Sequence, residues 1–351
     1  MSASDAPAHG RRASYVSGTS DLPLIGMTIG DCLDAAASEC PEREALVSCH
    51  QNLRYTYAEL RAEADRIARG LMALGVERGD RVGIWSLNCA EWAITQLAAA
   101  KLGAILVNLN PSYRAHELKH ALTQSGLSTL VLQGAYRVSG TIKSHYVDIL
   151  CEIAPELRDP PNAGDRLLAC AALPRLKHVI CLDETLATPG MWCWPELHTL
   201  AANVPAERLA TRQAELQFDD PINIQYTSGN TGAPKGVTLT HHNILNNGYF
   251  VGGGMNLQPG ERVVIPVPLY HCFGMVMGTT WRVFPTALPR STPTTVSTPK
   301  PRCAPWKPNG PRRSMACRRC SSPSWSIRAS PSSIFPACAP ASWPVPTAPS
   351  K

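Results

Sequence analysis

The chain has 351 residues and a formal net charge of +6 at pH 7, from 33 Lys and Arg against 27 Asp and Glu. This length allows about two domains with a substantial core. The charge is unevenly distributed, because twelve of the 33 basic residues and no acidic residue lie after Glu261. The chain up to that point is therefore acidic, and the remainder is basic.

The cysteines and the apolar segments exclude two classes of protein. Thirteen cysteines, an odd number, are scattered without a regular framework, which is typical of a reducing compartment and not of a secreted disulfide scaffold. The first residues, MSASDAPAHGRRAS, lack the apolar core of a secretory signal. No uninterrupted apolar run is long enough to span a bilayer. We therefore predict a cytoplasmic protein without a transmembrane segment.

Residues 1–24 are predicted to be a flexible N-terminus, and helices and strands alternate after them. Thr56 and Glu59 form a capping box at the start of a helix that Gly75 ends. The apolar spacing then predicts a strand at 81–85, a helix at 90–102, a strand at 104–109, a helix at 115–125 and a strand at 129–132. This βαβαβ order predicts an α/β fold with a mostly parallel sheet covered by helices. The pattern is weaker from 136 to 210, where one strand is predicted at 178–182.

The stretch YTSGNTGAPKG, residues 226–236, has the composition of a phosphate-binding loop. Predicted strands at 221–226 and 236–240 flank it, so the loop joins two strands. Its glycines allow successive backbone N–H groups to point toward one anion, and its hydroxyls and lysine add further donors. The residues concerned are Thr227, Ser228, Gly229, Thr231, Gly232, Lys235 and Gly236. Together they favour the polyphosphate of a nucleotide over a carboxylate.

Two other interpretations of this loop are weaker. A P-loop is excluded, because Pro234 stands where the glycine before the lysine is required and Gly236 replaces the magnesium-binding hydroxyl. A surface hairpin without a ligand explains the glycines. It does not explain the lysine and the three hydroxyl groups together.

The loop and its neighbours resemble the AMP-forming, adenylate-forming superfamily, which includes the acyl-CoA synthetases. The family signature is Tyr or Phe, then TSG, Ser or Thr, TG, any residue and PKG, and residues 226–236 match it except that Asn230 replaces the Ser or Thr. The segments at 101–111 and 268–274 also resemble family motifs. The sequences of residues 108–114 and of PLYHCFG, residues 268–274, are most similar to those of medium-chain fatty acyl-CoA synthetases of the acyl-CoA synthetase family member 2 type. The resemblance covers residues 25–280 and implies part of the N-terminal AMP-binding domain.

This resemblance implies a reaction in two halves and a role for each site residue. A fatty acid would attack the α-phosphorus of ATP with Mg²⁺ present, and coenzyme A would then displace AMP. Nucleotide binding would involve Thr227, Ser228, Gly229, Asn230, Thr231, Gly232, Lys235 and Gly236, with Thr231 also at the metal. Lys235 would offset charge as pyrophosphate leaves, and His271 would lie near the carboxylate and the α-phosphate. Cys272, Phe273 and Gly274 would line the acyl tunnel. Without this context His271 would be interpreted as a core histidine.

Residues 281–351 do not continue the family pattern. They are rich in proline, serine and arginine without a period, a composition that predicts a disordered basic tail. The family's YGxTE-type magnesium segment, ribose-binding Asp, hinge and second-domain lysine are not found in them. With permitted codons, a frame shifted by two bases turns Val296 to Trp325 into FDPEATLRALEAERATALYGVPTMFIAEL, which resembles the family's next segments. We favour a frameshift over an evolved tail, and we expect a truncated chain with weak or no activity.

Two features of the tail have simpler explanations than a binding site. Cys317 and Cys320 have the spacing of a zinc knuckle, but Cys303 and Cys338 are poorly placed to complete it and no histidine follows His271. The arginines between 312 and 319 could touch nucleic acid, yet only isolated tryptophans are nearby for stacking. We therefore predict small-molecule substrates and no nucleic-acid partner.

Three functions remain open from the sequence. The first is a fatty acid–CoA ligase that forms AMP. The second is a fragment that binds nucleotide or acyl groups without turnover. The third is a basic protein that interacts through its tail. Formation of acyl-AMP distinguishes the first from the second, and salt-sensitive retention on nucleic acid would identify the third.

Overall fold

The computed structural model describes residues 23–138, 141–160, 166–227, 234–255 and 262–276, together with the backbone of 294–296 and 312–314. The helices are α1 Ile29–Glu39, α2 Tyr57–Ala73, α3 Ala90–Leu102, α4 Ala115–Ser125, α5 Tyr146–Ile153, α6 Trp194–Ala201, α7 Ala206–Ala214, α8 His241–Gly254 and the single turn α9 Cys272–Gly274. The first strands are β1 Glu44–Ser48, β2 Leu53–Thr56, β3 Arg81–Trp85, β4 Ile105–Asn108, β5 Thr129–Leu132, β6 Ala135–Val138 and β7 Thr141–His145. The remaining strands are β8 His178–Cys181, β9 Trp192–Cys193, β10 Pro221–Thr227, β11 Lys235–Thr240, β12 Arg262–Ile265, β13 Thr294–Val296 and β14 Arg312–Ser314.

A seven-stranded sheet is the centre of the fold. Its order is β11-β10-β4-β3-β5-β8-β9, and every neighbouring pair is parallel except β10 with β11. A five-stranded sheet, β14-β12-β13-β1-β2, is parallel except for β1 with β2, and β6 pairs with β7 in a separate antiparallel hairpin. The predicted α/β fold with a mostly parallel sheet is therefore confirmed.

The seven-stranded sheet separates two hydrophobic clusters. Ile84 and Leu106 belong to the cluster beneath α1, α2 and α3, whereas their successors Trp85 and Val107 belong to the cluster beneath α4 and α5. Successive strand residues point to opposite faces, so continuous apolar strands cover both faces of the sheet at once. The sheet that carries the carboxyl ends of β4 and β10 is consequently packed on both faces.

The helix boundaries follow the local signals in the sequence. The capping box predicted at Thr56 and Glu59 is present at α2, where the Glu59 N–H donates to the Thr56 hydroxyl at 3.2 Å. Gly103 ends α3 with a φ of 78°, a left-handed conformation that glycine adopts without strain. The weakly patterned region contains elements that were not predicted, among them α6 and α7.

Two short strands lie in the segment predicted as a disordered tail. β13 lies between β1 and β12 in the five-stranded sheet, and β14 lies at its edge beside β12. The rest of 277–351 and the predicted flexible N-terminus up to residue 22 lie outside the described residues. None of the helices in the described ranges is both long and apolar enough to cross a membrane.

Candidate active site

The predicted phosphate loop is the tip of the β10–β11 hairpin. Thr227 and Lys235 are the register partners next to the loop, and the Thr227 hydroxyl donates to the Lys235 carbonyl at 3.4 Å. The predicted nucleotide ligands Ser228, Gly229, Asn230, Thr231 and Gly232 lie outside the described residues. Lys235 and Gly236 are exposed at the start of β11. The two strands predicted around the loop are thus present, and the lysine reaches solvent.

Alternation along β10 fixes which way the end of the hairpin faces. Asn223, Gln225 and Thr227 share one face of the strand, since side chains alternate with a period of two. On the opposite face, the Tyr226 hydroxyl donates to the Ala121 carbonyl at 3.1 Å. Burial raises the pKa of this hydroxyl above its ordinary value, so it remains a protonated donor. Tyr226 is therefore an anchor for the strand, and Thr227 faces the other side.

The segment 268–275 forms a tight turn that carries His271. The His271 N–H donates to the Pro268 carbonyl at 3.2 Å, and the His271 carbonyl accepts from Gly274 and Met275 at 2.9 and 3.0 Å. A Cβ atom on Gly274 would lie 2.3 Å from the Pro268 oxygen. No side chain fits in that space, so this turn requires glycine at 274.

The ring of His271 is exposed and held in one orientation by its own turn. Its Nδ1 accepts from the Phe273 N–H at 3.2 Å, so the proton of the neutral ring is on Nε2. The Cys272 thiol lies 3.7 Å from Nδ1 and is also exposed. Phe273 is half-buried against the first core cluster, and Gly274 is buried. The assignment of Cys272, Phe273 and Gly274 to an acyl tunnel stays a prediction.

Asn108, at the carboxyl end of β4, joins the hairpin to the His271 turn. Its Nδ2 donates to the Tyr270 carbonyl at 3.4 Å and contacts the Met275 sulfur at 3.3 Å, while its Oδ1 accepts from Asn223 at 3.0 Å. Gln225 contacts the same sulfur at 3.8 Å. The face of β10 that includes Thr227 is therefore the face against which the His271 turn packs.

Sequence reasoning did not single out these amide side chains as site residues. Asn108 is 1 % exposed and Asn223 is 1 % exposed, and each directly follows an apolar residue in its strand. A polar residue in a buried strand near the sheet's carboxyl edge is a recognisable signal, because buried amides require hydrogen-bond partners. The sequence alone does not identify those partners.

A separate cavity of about 610 Å³ lies between α1, α2, α3 and α7. Its lining includes Asp34, Asp65, Lys101 and Gln213. Lys101 and Gln213 lie before the amino ends of β4 and β10. The described site residues lie at the opposite edge of the sheet, which the carboxyl ends of these strands form. This cavity is therefore distinct from the candidate site.

Potential metal ligands are not clustered in the part of the chain that the structure describes. No group of three or more His, Cys, Asp or Glu residues there is arranged to hold a metal ion. The proposed magnesium contact, Thr231, lies outside the described ranges.

Comparison with known proteins identifies the family. The profile of the family described as AMP-binding enzyme matches residues 33–287, and the chain therefore belongs to that family. It is similar to proteins named medium-chain acyl-CoA ligase ACSF2, mitochondrial. The Danio rerio protein is 40% identical over 267 residues and the Homo sapiens protein is 41% identical over 273 residues. In both cases the match includes 76% of this chain and 42% of the relative, so the chain spans less than half their length.

A solved structure supports the fold assignment. The N-terminal domain of FACL13 from Mycobacterium tuberculosis superposes with a TM-score of 0.58 at 24% identity, over 78% of this chain and 57% of that domain. The predicted adenylate-forming fold and the predicted resemblance to the member 2 type are both confirmed. The cytoplasmic location stays a prediction, since the relatives are described as mitochondrial.

Proposed function

We propose that the chain belongs to an AMP-forming fatty acid–CoA ligase and supplies its nucleotide and carboxylate sites. The observation that supports this proposal is the link through Asn108 between the hairpin and the His271 turn. Thr227, Lys235 and His271 thereby share one edge of the sheet, with donors for phosphate on one side and an imidazole on the other. Ligands of parallel α/β sheets commonly bind at this edge.

The proposed chemistry begins with formation of a mixed anhydride. A carboxylate oxygen of the acid attacks the α-phosphorus of ATP, and the bond from that phosphorus to the bridging oxygen breaks. Lys235 and the loop N–H groups stabilise negative charge on the departing pyrophosphate, and the His271 Nε2–H donates to an oxygen at the reacting centre. Coenzyme A thiolate then attacks the acyl carbon and releases AMP. Magnesium would lower the charge of the phosphate oxygens when bound with the nucleotide.

We infer a fatty acid of medium length as the carboxylate substrate. The support is the name of the ACSF2 relatives together with identity of about 41% along this part of the chain. ATP, magnesium and coenzyme A follow from the same relationship. We also infer that the protein acts on these small molecules in the cytoplasm and has no nucleic-acid partner.

An exchange assay tests the adenylation step directly. If the chain turns over at all, we expect weak octanoate-dependent incorporation of labelled pyrophosphate into ATP by the full chain, and about a 100-fold lower rate after Lys235→Ala or His271→Ala. Lys177→Ala is the matched control, because Lys177 is also an exposed lysine but precedes the amino end of β8. Unchanged exchange in Lys235→Ala would contradict the proposed role of the hairpin.

A second candidate is binding of nucleotide without turnover. The observation that favours it is the complete lack of Asp and Glu after Glu261, which leaves no carboxylate there for magnesium or ribose hydroxyls. This function predicts that calorimetry detects ATP binding that weakens in Lys235→Ala, while pyrophosphate release is undetectable. Pyrophosphate release at ordinary enzyme rates would exclude it.

We also propose that the tail sequence arises from a frameshift, which connects the two candidates. Sequencing the coding DNA around the codons for Gly278 to Arg282 tests this, and we expect a missing or extra base there. Restoring the frame should raise pyrophosphate exchange from a weak or undetectable rate to an ordinary enzyme rate. A clean reading of the DNA would contradict the frameshift and would favour the binding function for this chain.

A further inference from the structure

Asn88 holds the segment that leads into the His271 turn. It lies between β3 and α3 and is 5 % exposed. Its Nδ2 donates to the Val267 carbonyl at 2.8 Å, and its Oδ1 accepts from the Leu269 N–H at 2.7 Å. One side-chain amide thus bonds to the chain on both sides of Pro268, as a neighbouring strand would.

The need for this amide arises from two prolines. β12 ends at Ile265, and Pro266 and Pro268 then lack the N–H groups with which the strand could continue in a sheet. Val267 and Leu269 are nevertheless buried, with exposures of 2 % and 0 %. Their backbone groups would be unsatisfied in an apolar environment, at a substantial cost in free energy. Asn88 supplies the missing donor and acceptor.

Holding both neighbours of Pro268 also fixes its carbonyl group. That carbonyl accepts from the His271 N–H at 3.2 Å, and its oxygen is the atom nearest to where a Cβ on Gly274 would lie. The position of the turn, and with it the Phe273 N–H that orients the His271 ring, therefore depends on the segment that Asn88 holds. The bond from Asn108 to Tyr270 is longer, at 3.4 Å, and provides weaker support.

We propose that Asn88 is a positioning residue for His271. It contacts no reacting atom itself, and its effect is transmitted through the backbone from 267 to 271. This role rests on the proposed ligase function, in which the His271 Nε2–H faces the reacting centre. Loss of the Asn88 bonds would leave the imidazole present but no longer held in one orientation.

The chain offers a matched control at Asn246. This side chain is 6 % exposed and holds a different segment in the same way, accepting from the Ile25 N–H at 2.8 Å and donating to the Ile25 carbonyl at 3.1 Å. Asn88→Leu and Asn246→Leu therefore each remove a buried amide that bonds a backbone N–H and a backbone carbonyl. Only Asn88→Leu removes an amide that is bonded to the segment leading to His271.

The test combines histidine nitrogen NMR with pyrophosphate exchange on the full chain. In the parent protein we expect the neutral form of the His271 ring to give the signals of a single tautomer with an unprotonated Nδ1. In Asn88→Leu we expect averaged tautomer signals and about a 100-fold lower kcat for exchange, with the KM for ATP within about twofold. Asn246→Leu should lose comparable stability while its His271 signals remain those of the parent.

Two results would overturn the proposal. One is an unchanged His271 spectrum in Asn88→Leu, and the other is an equal change in Asn246→Leu. If Asn88→Leu does not fold, the same criteria apply to Asn88→Asp, which keeps the acceptor for Leu269 but loses the donor for Val267. The NMR result does not require turnover, so an inactive parent protein would favour nucleotide binding without turnover, and the spectra alone would then decide the role of Asn88.

Discussion

The seven-stranded sheet has one edge formed by the amino ends of its parallel strands and one formed by their carboxyl ends. The lysines at these two edges have opposite environments. At the amino end Lys101 is 2 % exposed, and its ammonium lies 2.5 Å from Asp34 and 2.7 Å from Asp65. At the carboxyl end Lys235 is exposed and makes no ion pair with the described residues, and the nearby backbone is held by neutral amides. A buried charge requires partners and becomes part of the scaffold, whereas an exposed, unpaired charge is available to a ligand. This difference distinguishes structural residues from candidate functional ones.

The largest effect on stability is expected from removing the paired lysine. Lys101→Met leaves Asp34 and Asp65 without their cation, and each carboxylate is about one-third exposed. Partial hydration lowers the penalty, so we expect a loss of about 3 kcal/mol in unfolding free energy. Urea denaturation measures it. A control variant, Asp34→Asn with Asp65→Asn in the same Lys101→Met background, should recover part of the loss, and no recovery would contradict the pairing.

Gly274→Ala is expected to have the second largest effect. The added Cβ would meet the Pro268 carbonyl oxygen, which belongs to the backbone and is held in place by the neighbouring bonds. We expect a loss of about 2–3 kcal/mol in unfolding free energy and a distorted His271 turn. Gly254→Ala is the control, since nothing lies within 4 Å of a Cβ there. Equal stability of the two variants would show that the turn can relax.

His241 predicts an effect on stability that depends on pH and that, at pH 5, is smaller than the two above. The Nδ1 of this buried side chain accepts from the Ile29 N–H at 3.1 Å. Burial lowers the pKa of His241 to about 4, although the nearby carboxylates of Asp220 and Asp31 act to raise it. Between the ordinary value of 6.5 and about 4 the unfolded chain binds more protons than the folded chain. Stability should therefore fall as the pH falls through this window, by about 2 kcal/mol at pH 5, and level off below about 4.

Unfolding measured between pH 7.5 and pH 4 checks this prediction. We expect His241→Gln to flatten the dependence, because glutamine keeps an acceptor for Ile29 and does not titrate. His242→Gln is the matched control, since His242 is only half-buried. A pH dependence in His241→Gln equal to that of the parent would assign the effect to other groups.

Sequence reasoning predicted the parts of the molecule that local patterns determine. The strands corresponding to β3, β4 and β5 are mostly apolar runs, and the hairpin follows from the glycines between two segments of strand-forming residues. The helix α7 was missed because only Leu209 of its nine residues is buried, which leaves no apolar period to detect. The role of Asn88 was not predictable, because its partners Val267 and Leu269 are 179 and 181 residues away.

The smallest effect on stability is expected where the effect on ligand binding is largest. Lys235→Met removes the same charge as Lys101→Met, but from an exposed position without an ion pair among the described residues. We expect a change of less than about 0.5 kcal/mol in unfolding free energy. Calorimetry on the same sample should nevertheless show weaker ATP binding, since the lysine contributes to the ligand and not to the fold. If Lys235→Met were as destabilising as Lys101→Met, the carboxyl-end lysine would be structural too, and exposure would no longer separate the two roles.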